Sequence, residues 1–421
     1  MNEKVMNLYR NRVDELAIRK TIEQSICIAG PDVETQQNHE SKYKIRILRN
    51  NREIIFSSNE NSLIDQIDKQ LEIIDTLPKD QFQNTFQTIS GEFHNNHDSH
   101  VSDDVLREYF NYLQKYEKND KFFKLDDFSL SSDKENSYFL NNYGLYIENT
   151  NKSSYISCSM VVGDHKEMQS DYDFSYLKAN WLSKEFNIEY FLNNLYERVK
   201  NKFNSTSIET KSYSCIIESK LVASLIKIMV GSLTGNNIVS KQSFLINETE
   251  NLGSFSIREN PFYGPRSIDK TNNMQVDELG LELKNKFLIN NGKVENYIIG
   301  RLNSNKLNLP ISANNFDFSE YFTNIEFLPN NVEESLLNKM QDGLLITDFL
   351  GSNVNYSNGN YTSSATGLII ENGKVKGSFC NAVVSFNIKE IFSNAIFENN
   401  ITEHYGIFCS SMLVEKIQIS C

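Results

Sequence analysis

Residues 343–374 read GLLITDFLGSNVNYSNGNYTSSATGLIIENGK. An apolar run, Leu344 to Ile346, enters a Gly/Ser/Asn-rich stretch from Gly351 to Ser364, and a second apolar run from Gly367 to Ile370 ends at Glu371-Asn372-Gly373. Asn-Gly between strand-like runs signals a hairpin, because a type I′ turn needs φ > 0 at both central positions. The stretch therefore reads as strand, long polar loop, strand, tight turn, strand. A long loop bracketed by buried strands is held in place rather than floppy. It serves either as a plain structural connection or as the wall of a surface for a substrate or partner. In the second case an exposed strand edge beside it could take an extended peptide by β-augmentation, in which backbone hydrogen bonds supply sequence-tolerant affinity. The residues that would carry such a surface are Gly351, Asn353, Asn355, Gly359 and Tyr361.

Outward from this stretch, the chain has 421 residues and a mass of 48.6 kDa, enough for two or more packed domains. A hydrophobic content of 39% argues against wholesale disorder. The formal charge of −13 disfavours non-specific binding to nucleic acid or to an anionic membrane. The six cysteines are scattered without a C-x-x-C pair and read as reduced thiols, mostly buried. The N-terminal stretch shows no apolar signal region, and no apolar run reaches membrane-spanning length, so the expected location is the cytoplasm.

The expected fold class is α+β, with mixed and antiparallel sheets and packed helices. A β-rich N-terminal region is followed by a larger C-terminal domain, with a boundary placed between residues 1–205 and 206–421. Residues 13–58 are β-rich, and Tyr43 to Leu48 alternates apolar and basic residues, the period of a half-buried strand. Leu63, Ile67, Leu71 and Ile74 form the stripe of a helix over about 62–77, stopped by Pro78. The stretch 81–101 is polar and His-rich and reads as a loop or linker. Ser102 caps a second amphipathic helix, strands lie within 138–162, and further helices cover 186–203 and 220–233. A hairpin turns at Asn291-Gly292, a short helix covers 388–396, and a final strand runs from Met412 to Ile419.

Candidate chemistry is sparse. His94, His97 and His100 are spaced so that a helix could gather them toward a metal ion, but Asn95 and Asn96 disfavour helix and a solvated loop is the better reading. No Gly-x-Ser-x-Gly elbow marks a nucleophilic hydrolase, and Cys409 near His404 reads as a core thiol. No phosphate-binding loop is present, since the glycines at 231 and 235 lack the Lys-Ser/Thr that follows in such loops.

The opening stretch also resembles the C-terminal signature of the TldD/TldE (PmbA) family, peptide-processing proteins once called modulators of DNA gyrase. Gly343, Leu344, Leu345, Thr347, Gly351, Asn355, Gly359, Tyr361, Gly367, Glu371, Asn372 and Gly373 fit that pattern, while Asn360 and Thr362 replace its Asp and Ser. Weaker similarities occur at Gln242 to Leu245, Glu259-Asn260-Pro261 and Asp277 to Gly280. The usual opening helix of the family is shortened or missing here. The catalytic branch carries His-Glu-x-x-x-His on a helix, so that two imidazoles face one metal ion and the Glu polarises water. The equivalent helix here, within 221–235, places Lys227, Ile228 and Ser232 at those positions and is apolar almost all round.

The resemblance thus implies a non-catalytic, TldE-like subunit of a metalloprotease complex that degrades or matures peptides, for example by leader removal. It implies no cofactor in this chain, zinc in a TldD-like partner, a peptide substrate, and no nucleic-acid or membrane partner. The competing readings are a stand-alone peptidase built on His94, His97 and His100, and a gyrase- or DNA-associated modulator.

Overall fold

The computed structural model describes residues 2–30, 34–83, 89–163, 167–178, 186–203, 205–246, 251–264 and 276–420. Four strands of 16 to 20 residues dominate its first half: Glu15–Gly30, Glu34–Arg49, Phe122–Asn141 and Leu145–Gly163. They pair antiparallel, 34–49 on 15–30, 15–30 on 122–141, and 122–141 on 145–163. Arg52–Ser58 adds one edge. Two short strands share the other: Gly91–Ser99 runs parallel to the first half of Leu145–Gly163, and Met168–Tyr176 antiparallel to its second half.

Helices cover the two ends of this sheet separately. Asn2–Tyr9 is the short opening helix, burying Val5, Met6 and Tyr9, and Leu63–Ile74 buries Leu63, Ile67, Leu71 and Ile74. Both pack on Leu16, Ile18, Ile45 and Ile47. Asp103–Lys115 and Ile188–Lys200 close the other end, where Leu106, Phe110, Leu192 and Leu195 meet Leu130, Ile156 and Met160. Each such buried Leu or Ile contributes on the order of 1.5–3 kcal/mol relative to an exposed one, which is what holds these 8- to 13-residue helices in place. Asn187 accepts a hydrogen bond from Tyr190 N and caps its helix, whereas the Ser102 side chain, at the start of its own, makes no cap bond.

In the second half, Lys211–Ile217, Gly343–Asn355, Asn360–Glu371, Lys374–Asn387 and Met412–Ser420 form a closed ring. Each pairs with the next, and Met412–Ser420 returns to pair with Lys211–Ile217. A six-stranded sheet that includes Phe255–Glu259 and Ile325–Pro329 packs beside it. One continuous core joins them: Phe255, Ile257 and Phe327 from the sheet, Leu344, Ile346, Phe379 and Val384 from the ring, and the helix Ser219–Gly231. The architecture is α+β with mostly antiparallel sheets.

Two sequence expectations change, and one unassigned stretch becomes strand. Residues 91–99, read as linker, form a strand, because pairing with Leu145–Ser153 satisfies the backbone and the polar side chains find partners across it, as Asn95 does with Asn149 at 2.6 Å. The polar stretch 122–137 is the first part of a 20-residue strand. The supposed long loop 351–364 is mostly hairpin: the strand from Gly343 continues to Asn355, and the return strand begins at Asn360. The Asn372-Gly373 turn is as read, with φ of 52° and 70°. Of the described cysteines, Cys158, Cys215 and Cys409 are buried, Cys27 is half-buried and Cys380 is exposed.

Candidate functional site

The hairpin built from the opening stretch stands on an aromatic base. Tyr361 is buried, stacks on Phe386 at 4.9 Å and meets Phe349 at 5.3 Å. Its hydroxyl lies 2.6 Å from Ser352 Oγ, which ties the two strands across the register shift between Leu350 and Asn353. At the tip, Asn355 Oδ1 accepts from Ser357 N at 3.1 Å and from Ser357 Oγ at 2.7 Å. Gly359, at φ 82°, lies against the Phe244 ring, where a Cβ would approach to 3.1 Å. Gly351, at φ 66°, faces open space, and Asn353 and Asn355 are exposed. The five residues singled out from sequence thus share one hairpin, but divide into a buried support (Gly359, Tyr361) and an exposed arm (Gly351, Asn353, Asn355).

That arm has an open edge. Of the strand Gly343–Asn355, Lys211–Ile217 pairs with Leu344, Leu345 and Ile346 only. It then turns into the helix Ser219–Gly231, with Glu218 N donating to Ile346 O at 3.2 Å as the last link. From Asp348 to Asn355 the strand keeps its partner 360–366 on one side and has no strand on the other among the described residues. Leu350 on this arm is 54% exposed. Unpaired N–H and C=O groups on such an edge are a template for another strand.

A charged network anchors the base of the arm. Asp348 meets Lys220 at 3.1 Å and Lys202 at 3.8 Å; Lys202 also meets Asp171 at 3.3 Å, and Arg198 meets Asp171 at 3.1 Å and Asp173 at 2.7 Å. Burial would raise the Asp171 carboxyl, but Arg198 and Lys202 outweigh it and hold the group below its ordinary range. Glu218 goes the other way: burial, opposed by Lys220 and Arg198, pushes it up to about 7. Next to it His404 Nε2 sits 2.9 Å from Ser219 Oγ and 3.0 Å from Thr402 Oγ1, and burial lowers it to about 4, so the imidazole meets these hydroxyls as a neutral ring. Tyr405 stacks on Phe174 at 5.8 Å, joining the same corner to the first sheet. Glu218, Lys220, Asp348 and His404 come from three separated segments, and only Asp348 lies inside a recognisable motif.

The helix beside this network does not fit a metal. Lys227 is exposed, Ile228 is half-buried, and Ser232 is fully buried with no hydrogen-bond partner for its hydroxyl. An ammonium repels a cation and an isoleucine has no lone pair to give, so the helix offers no donor set for zinc. The histidines of 94–100 also diverge: His94 and His97, three apart on a strand, point to opposite faces, and His100 lies just past the strand's end. His94 Nδ1 meets Glu148 at 3.0 Å, His100 Nδ1 meets Asp98 at 2.5 Å, and His97 lines a cavity with Arg19. No group of three His, Cys, Asp or Glu side chains able to hold a metal occurs among the described residues. None of the helices described is long and apolar enough to cross a membrane.

Comparison with known proteins gives the family. Residues 210–421 match the PmbA/TldA metallopeptidase C-terminal domain, and residues 96–203 match the central domain. A metalloprotease PmbA homolog of Buchnera aphidicola subsp. Baizongia pistaciae is 27% identical over 278 residues, covering 63% of this chain and 58% of the relative. The homolog of Haemophilus influenzae is 22% identical over 293 residues, covering 66% and 61%. The chain thus spans roughly three-fifths of the length of these curated relatives. Among solved structures, TldE from Thermococcus kodakarensis superposes with a TM-score of 0.84 at 17% identity, covering 100% of both chains. A Bacteroides thetaiotaomicron protein described as a modulator of DNA gyrase gives 0.83 at 17% identity, covering 100% of this chain and 98% of that one. These two likenesses concern the fold. The chain belongs to the PmbA/TldD metallopeptidase family.

Proposed function

We propose that this chain is the non-catalytic, TldE-like subunit of a TldD/TldE-type peptidase, shaping and closing the chamber in which a partner subunit degrades or matures peptides. The observation that carries the reading is that Lys227, Ile228 and Ser232, which the family resemblance sets at the His, Glu and His positions, offer no donor set for a metal on a helix whose apolar face packs in the core. The catalytic metal, ligands and general base then belong to the partner, and this chain holds no cofactor. The open edge from Asp348 to Asn355 supports a binding role, since it can add one strand from a peptide or from the partner without any change in the ring beneath it. Only backbone groups are needed there, which suits substrates of varied sequence.

The test is co-expression with a chain bearing His-Glu-x-x-x-His, followed by co-purification and a peptidase assay on each chain and on the pair. The expected result is cleavage by the pair, abolished by a chelator, and none by this chain alone. Chelator-sensitive cleavage by the pure chain would sink the proposal.

A further inference from the structure

A cavity of about 510 Å³ lies between the first sheet and the segment 316–323, and it shares no lining residue with the hairpin. The register of three strands arranges its floor in rows on one sheet face. Phe93, Ile147 and Phe139 make an apolar row; Asn95, Asn149 and Ser137 make an amide row; His97, Asn151 and Glu135 make a third. Successive rows are about 7 Å apart, two residues of strand rise. Val276 and Phe316 extend the apolar end.

The polar end asks for a donor. Arg19 is engaged by Glu278 at 2.6 Å and Lys44 by Asp317 at 2.6 Å, which leaves Glu135 as the lining carboxylate without an ion pair among the described residues. Burial, with Glu23 and Asp317 nearby and Arg19 opposing, raises the Glu135 carboxyl above its ordinary range. Asn95 is 8% exposed; its Nδ2 donates to Asn149 Oδ1 at 2.6 Å, and its own Oδ1 has no partner. One buried acceptor, Asn95 Oδ1, thus stands unfilled one row from the half-buried Glu135 carboxyl, beside an apolar row. Buried acceptors left without donors are costly, and a ligand that supplies donors removes the cost.

We propose that this cavity binds a primary ammonium carried on an unbranched apolar stem, the chemistry of a lysine side chain in a bound polypeptide. The stem lies on Ile147, Phe139 and Val276, and the ammonium sits over the amide row, within reach of Asn95 Oδ1 and the Glu135 carboxylate. One row spacing matches the length of a four-carbon stem, and long cationic side chains bury such stems readily. An anionic ligand would face Glu135, Glu278 and Asp317 and is disfavoured. The peptide-handling reading is needed only to say whose side chain this is; the pocket itself stands apart from it.

The experiment titrates the full-length chain with Nα-acetyl-lysine methylamide, and with the norleucine and glutamine analogues, by calorimetry at pH 7.5. The lysine probe is expected to bind at least tenfold more tightly than either analogue, and to weaken tenfold in Glu135→Gln, whose thermal midpoint does not fall below the wild-type value because the amide removes the cost of a carboxylate that burial disfavours. Equal affinity for lysine and norleucine probes, no saturable lysine binding, or an unchanged Glu135→Gln variant each overturns the proposal. Because the probe is a single residue and no partner is present, failure here leaves the subunit reading untouched, and failure to find a catalytic partner leaves this one untouched.

Discussion

Lys220 Nζ lies 3.1 Å from Asp348 Oδ1, and this ion pair joins the first turn of a core helix to the start of an open strand edge. Both side chains are about one-quarter to one-third exposed, at 31% and 26%. A double-mutant cycle with Lys220→Met and Asp348→Asn, read by urea unfolding, should give a coupling of about 1 kcal/mol. Additive effects would mean that the pair does not hold the corner.

Glu218 and His404 set opposite pH limits. A carboxyl raised from 4.5 to about 7 favours folding fully below its unfolded value and loses that contribution as pH rises through 7. Glu218→Gln should therefore stabilise the chain by on the order of 1 kcal/mol at pH 8 and leave it unchanged at pH 4, as read from denaturant midpoints.

The imidazole runs the other way. Lowered from 6.5 to about 4, it supports the fold above 6.5 and withdraws that support as pH falls toward 4. His404→Gln, which keeps a neutral polar partner for Ser219 and Thr402, should flatten the acid side of the stability profile by on the order of 2 kcal/mol. An unchanged acid limb would refute the assignment.

Two glycines of the hairpin separate backbone strain from crowding. Gly351→Asn should be nearly silent, because asparagine tolerates positive φ and the space above is empty. Gly359→Ala should cost about 1–2 kcal/mol for its φ alone, and more because the new methyl meets Phe244. Equal losses at the two sites in thermal unfolding would contradict the geometry.

Leu350→Lys puts a charge on the exposed arm, a device that blocks edge pairing. The isolated chain should keep its thermal midpoint, while assembly with the catalytic partner, or peptide cleavage by the pair, should fall about tenfold, a loss of about 1.4 kcal/mol. Unchanged assembly and cleavage together would exclude the edge from function.

The readable parts of the sequence were those where one local rule dominates. Asn372-Gly373 announced its turn because few other residues accept two consecutive positive φ values, and Leu63, Ile67, Leu71 and Ile74 announced their helix by spacing. Gly91–Ser99 was hidden because it is an edge strand whose side chains are mostly polar, stabilised by cross-strand pairs such as His94 with Glu148 that no local pattern reveals. The hairpin arm was mistaken for a loop for the same reason: Ser352, Asn353 and Asn355 do not alternate with apolar residues. The charged corner could not be read at all, since Glu218, Asp348 and His404 are far apart in the chain and meet only through the fold.

The ring in the second half has a kinetic consequence. Its closing strand, Met412–Ser420, pairs with Lys211–Ile217 across about two hundred residues of intervening chain. Contacts of such sequence separation are slow to form, because a large loop must be closed before they give anything back. During synthesis, Lys211–Ile217 therefore waits with a bare edge until Met412–Ser420 has emerged, and that interval is when the nascent chain is most exposed to mispairing with other strands.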